Sequence, residues 1–127
     1  MKISKSYYQS YAVAQQNNKS EIDKIIMLFE GAIKLMAQAR VAVEQNEIEL
    51  RFNVSDKVSQ IFQGLINILD FDKGGEISEI LRQFYSYIIM KVLQINHEPN
   101  VESCDQVIEQ MTEMLDAWKD VKGQVEK

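Results

Sequence analysis

Helix breakers are almost missing from this chain: one proline, Pro99, and five glycines are all that punctuate 127 residues. Proline removes a backbone donor and clashes with the preceding turn, while glycine gives up conformational freedom, so their scarcity leaves long stretches free to remain helical. The few break signals then locate the joins. Asn46, the pair Gly74-Gly75 and the run His97-Glu98-Pro99 cut the chain into four long segments.

Each segment carries one apolar line at helical spacing. In the first, Ser20 with Asp23 reads as a capping box, and Ile22, Ile25, Phe29, Ala32, Met36, Ala39 and Val43 follow at alternating steps of three and four. A second helix is predicted from about Glu47 to Phe71, with Val54, Val58, Ile61, Leu65 and Ile68 as its seam. A third starts near Glu76 and aligns Leu81, Tyr85, Ile88, Val92 and Ile95. The fourth, from about Asn100 to Lys122, aligns Val101, Cys104, Ile108, Met111, Leu115 and Trp118, with Gly123 as its stop. Short joins make neighbours antiparallel, which predicts an all-α fold, an antiparallel up-down-up-down four-helix bundle. One domain is expected: residues 1–18 as an N-terminal arm or short extra helix, 19–123 as the bundle and 124–127 as a tail.

The balance of residues narrows the function. With 46% apolar and 26% charged residues the chain suits a soluble domain, and a net charge of −5 offers no basic surface for releasing counterions from nucleic acid. No stretch approaches the roughly 18 apolar residues of a membrane span, and Met1 to Tyr11 has no apolar core of a leader. A lone cysteine, Cys104, builds no disulfide framework, so a reducing cytoplasm is the expected setting.

No catalytic constellation emerges. A di-iron bundle needs two Glu-x-x-His motifs, and the chain holds one histidine, His97, beside Pro99 in a predicted turn. Asp70 to Glu76 resembles a calcium loop only briefly: Gly74 falls at the fifth ligand position, and Leu81 at the twelfth, where a bidentate glutamate belongs. Gly74-Gly75 lacks the Lys and Ser or Thr of a phosphate-cradling loop and reads as a helix stop and restart. Cys104 lies on an apolar seam, where burial keeps a thiol inert. Arg40, Arg51 and Arg82 all miss the seams, so no inward cations await an anionic substrate. Trp118 and Tyr85 sit at seam positions as core filler. Neither an enzyme nor a bound cofactor or metal is expected.

Apolar residues are in surplus. Beside the first seam lie Ile26 and Ile33 on one flank and Leu28 and Leu35 on the other; on the fourth helix Val107, Met114 and Val121 recur every seventh residue, opposite polar Asp105, Thr112 and Lys119. Two readings stand side by side: wide faces suit a compact bundle, or they form an exposed groove for a partner helix. Tyr7, Tyr8 and Tyr11, set in an otherwise polar arm, are expected to dock on the bundle and shield such a groove until a partner displaces them. These ten residues are the candidate partner-binding set. A self-associating or regulator-holding helical protein, using the stripe Val107, Met114 and Val121, is the alternative, and a monomer or weak homodimer is expected.

Several motifs together resemble the flagellin-specific export chaperones of the FliS family across nearly the whole chain. Leu28-Phe29-Glu30-Gly31-Ala32-Ile33 is similar to the family's Leu-Tyr-acidic-Gly-Ala stretch, and Leu69 to Ile77 to its inter-helix Gly-Gly turn. Phe84-Tyr85-Ser86-Tyr87 with Asn96 downstream, the C-terminal Asp116-Ala117-Trp118, and Tyr8 with Tyr11 fit in order and spacing. Glu21, Lys24 and Gln16 depart from the family's proline, leucine and valine. The resemblance implies an antiparallel bundle acting as a cytoplasmic chaperone. Its implied partner is the disordered C-terminal segment of flagellin, which it keeps from premature assembly and delivers to the flagellar type III secretion apparatus. Components of that apparatus or a flagellar regulator are further candidate partners.

Overall fold

The computed structural model is described over residues 19–125, with side chains over 21–72 and 75–123, and its described residues form four helices and no strand. They are α1 (Lys19–Glu44), α2 (Ile48–Asn67), α3 (Phe71–His97) and α4 (Val101–Val125), joined by three links of three residues each. The arm with Tyr7, Tyr8 and Tyr11, and the Ser20 side chain of the expected capping box, lie outside the described residues. Links this short turn the chain straight back, giving the up-down-up-down bundle. Helix α1 packs closely on both α4 and α2, and α2 on α3; α3 and α4 touch least, although consecutive.

Three aromatic rings mark the centre. Phe29 of α1 lies with its centroid 5.6 Å from Phe62 of α2 and 6.1 Å from Tyr85 of α3, and Phe62 and Tyr85 are 5.8 Å apart. Such edge-on or tilted contacts set the positive ring edge against a negative face. Around them Ile22, Met36, Val58, Leu81, Ile88, Val92, Met111 and Trp118 are fully buried, each contributing roughly 1.5–3 kcal/mol of transfer free energy for a side chain of this size.

The ends of the helices show where local chemistry decides. Asn46 takes the left-handed conformation (φ 55°), Glu47 N donates to Ala42 O at 2.8 Å and Asn46 N to Val43 O at 3.3 Å. This closes α1 in a Schellman motif. Asn100 caps α4, its Oδ1 accepting from Ser103 N at 3.0 Å. Helix α4 runs through Gly123, the expected stop, to Val125.

Helix α2 departs most from expectation. It ends at Asn67 rather than near Phe71, and Phe71 opens one helical turn that joins α3 across Gly75. Gly75 has φ 52° and ψ −123°, a conformation that side chains with a Cβ avoid, and Ser78 Oγ donates to Asp70 O at 2.8 Å to tie the restarted helix to the link. The α2 seam is also shifted: Phe62 is fully buried in place of half-buried Ile61, while Ile68 is 58% exposed. Since α2 must face both α1 and α3, its buried stripe spans two neighbours and takes in Arg51 and Ser55.

The apolar surplus of α1 and α4 has a structural explanation that corrects the expectation of an open flank. Ile26, Val107, Met114 and Val121 belong to the buried core, and Leu28, Ile33 and Leu35 are half-buried against it. A helix lying between two close neighbours needs two apolar faces, and α1 lies between α2 and α4. Ion pairs span the α1–α4 face: Arg40 Nε to Asp105 Oδ1 at 2.6 Å and Lys122 Nζ to Asp23 Oδ1 at 2.8 Å.

Candidate partner-binding surface

Among the described residues the opposite face of the bundle is left open. On α2, Phe52, Asp56 and Ser59 follow at steps of four and three; on α3, Ile89, Leu93 and Asn96 do the same, with His97 beside them. Residues so spaced share a helix face, and the antiparallel pair sets these two rows against each other. Together they line a groove of about 440 Å³. Phe52 is 49% and Leu93 58% exposed, and Met90 stands exposed nearby. Asp56 is held along its own helix by Gln60, whose Nε2 donates to its Oδ2 at 2.7 Å.

Behind the groove the α2–α3 contact is polar. Arg51 is only 7% exposed, correcting the expectation that it misses the seam. It stands three residues before Val54, on the same stripe. Its Nη2 donates to Asn96 O at 3.2 Å, and its guanidinium carbon lies 5.2 Å from the Phe52 ring centroid. Asn96 is in the last turn of α3, where carbonyls lack intrahelical partners and the helix dipole is negative, so a guanidinium is favoured there. Among the described residues Arg51 Nε, Ser55 Oγ, Ser59 Oγ and Asn96 Oδ1 are buried without a hydrogen-bond partner.

A second hollow, about 540 Å³, sits at the α3–α4 link among Lys91, Gln94, Ile95, His97, Glu98 and Asn100. His97 is exposed there, as its place beside Pro99 suggested. Among the described residues no cluster of three or more His, Cys, Asp or Glu side chains is placed to hold a metal ion. Cys104 is buried; desolvation first, and the neighbouring Asp105 charge second, push its thiol above the ordinary range, so it stays protonated. The hydrogen bond from Arg82 holds Glu79 below its usual carboxylate range, and the bond to Asp105 raises Arg40. Both pairs are exposed and neither faces the groove.

Of the sequence-derived candidates, the structure gathers Ile26, Val107, Met114 and Val121 into the core, and as they stand they offer no surface for a partner or a second copy. Leu28, Ile33 and Leu35 keep partial exposure. Phe52, Ile89 and Leu93 were missed because each lies beside the seam of its own helix. Only the pairing of two helices makes a groove of them.

A helical bundle with an apolar groove on one outer face defines a class, the helical protein-binding modules. The family is more specific: residues 4–125 match the model of the flagellar protein FliS family, and the chain belongs to that family. It is 34% identical over 114 residues to the flagellar secretion chaperone FliS of Campylobacter jejuni, covering 90% of this chain and 89% of the relative. It is 30% identical to the proteins of the same name from Vibrio cholerae, covering 95% of this chain and 90% of the relative, and Salmonella typhimurium, covering 92% and 87%. No helix among the described residues is long and apolar enough to cross a membrane.

Proposed function

We propose that this chain is a cytoplasmic flagellar secretion chaperone: it holds the disordered C-terminal segment of flagellin, prevents premature polymerisation and delivers the subunit to the flagellar type III export apparatus. Family membership supplies the class of partner. The observation that carries the reading in this chain is the apolar α2–α3 groove, open on a folded bundle whose α1–α4 flank is spent on packing. The half-buried Leu28, Ile33 and Leu35, and Tyr7, Tyr8 and Tyr11 of the arm, are proposed to contribute contacts where the bound segment extends beyond it.

A disordered segment that folds on binding loses conformational entropy, about 2–5 kcal/mol of the gross interaction, and offsets it by burying apolar area at roughly 25 cal/mol per Å². The groove alone is small, so the segment extends beyond it along the bundle. Titration calorimetry of the chain with the C-terminal segment of its flagellin tests this. Binding with a large negative heat-capacity change is expected; no binding removes the proposal. Deleting residues 1–17 should alter the affinity if the arm competes for the same surface.

A further inference from the structure

We infer that Arg51 is the anchor for a carboxylate of the partner, an aspartate or glutamate on a segment whose apolar side chains lie in the α2–α3 groove. The inference rests on the chaperone reading and adds to it the chemistry that the bound segment must carry.

Arg51 is a cation with more than nine-tenths of its surface buried and no carboxylate partner among the described residues. Among the described residues its one acceptor is a neutral carbonyl, Asn96 O, and its Nε has none. The chain carries 19 acidic residues against 14 basic, so carboxylates are plentiful. The nearest on the groove, Asp56, is engaged by Gln60 instead. A buried guanidinium is costly without a counter-charge, and its planar fork of donors matches a carboxylate better than a single carbonyl. Charge complementarity therefore asks for an anion from outside the bundle.

The groove adjoins the guanidinium through Phe52, whose ring covers it at 5.2 Å. That ring is half exposed, so it can turn aside with little loss of packing and open the donors to the groove. From Phe52 to Ser59 the groove spans seven residues of α2, about 10 Å at 1.5 Å per residue. Two turns of a partner helix fit that length. The occupant is thus an amphipathic helical segment with two apolar residues one turn apart and an acidic residue about one turn further on, against Arg51.

The test is calorimetric titration of the full chain, wild type, Arg51→Met and Arg51→Lys, with the C-terminal segment of its flagellin. The same segment is also made with each Asp and Glu replaced in turn by Asn or Gln. Arg51→Met is expected to melt no lower than wild type, because an apolar side chain replaces an unpaired buried charge, and to bind at least tenfold more weakly. One acid replacement in the segment weakens binding to wild type by a similar factor and adds nothing to the loss in Arg51→Met. Arg51→Lys keeps the charge but not the fork; it falls between the two and serves alone if the Met variant does not fold. Equal affinity of the Arg51 variants and wild type overturns the inference while the chaperone reading stands. So does a segment that binds undiminished with all its acids replaced. Failure of the wild-type chain to bind the segment overturns both.

Discussion

The α1–α4 and α2–α3 faces of the bundle both carry apolar residues and end in opposite states. Between α1 and α4, Ile26, Val107, Met114 and Val121 are buried and ion pairs bridge the rim. Between α2 and α3 the buried layer includes Arg51 and Ser55, four polar atoms lack partners, and Phe52 and Leu93 are left outside. The first face contributes stability; the second gives some up and stays available. Apolar surplus in a sequence therefore does not by itself mark a binding surface. What marks the surface proposed here is apolar exposure beside polar groups that the fold leaves unsatisfied.

The sharpest way to break this contrast is to place the same charge on each face. Val107→Asp buries a carboxylate with no cation beside it, costs several kcal/mol, and should abolish the cooperative melt followed by circular dichroism. Leu93→Asp should change stability by no more than about 0.5 kcal/mol, as at other exposed positions, yet weaken flagellin binding at least tenfold in the calorimeter. If Val107→Asp folds normally, or Leu93→Asp unfolds the chain, the division of labour is wrong.

Smaller effects refine it. Gly75→Ala forces a Cβ into a conformation that only glycine adopts readily, and should lower stability by about 1–3 kcal/mol in urea titrations. Space is not the obstacle, since nothing lies within 4 Å of the added Cβ, so the loss measures backbone strain alone. Asp23→Asn removes the pair with Lys122 across the closed face and should cost less than about 1 kcal/mol by the same titration, because apolar burial and not the rim charge closes that face.

The smallest effect concerns pH. Glu79 has its folded-state pKa depressed by Arg82, so the pair stabilises the fold above the ordinary glutamate pKa of about 4.3, and the contribution is lost as pH falls through the lowered value. Glu79→Gln should flatten the acid limb of urea midpoints slightly and leave the groove's affinity unchanged at neutral pH.

Much of the fold was legible because period and punctuation agree. Asn46 ended α1 where a left-handed residue was needed, and the α1 and α3 seams from Ile22 to Ala39 and Leu81 to Ile95 are buried as read. The α2 stripe was misplaced by one residue, Ile61 for Phe62, because a helix facing two neighbours has no single apolar line. Arg51 was misread for a different reason: its spacing, three positions before the seam valine Val54, puts it on the buried stripe, but an arginine there looks like surface until the end of α3 brings a carbonyl to it. The groove joins side chains about 40 positions apart in sequence, and no pattern within one helix contains it.

The weak contact between consecutive α3 and α4 makes the bundle an open book whose spine is α1. One leaf, α1 with α2 and α3, is pinned by Phe29, Phe62 and Tyr85; the other, α4, is held by α1 almost alone. Native-state amide exchange should then divide along that spine, with α4 opening as a unit while the aromatic-pinned leaf keeps its protons until the whole chain unfolds.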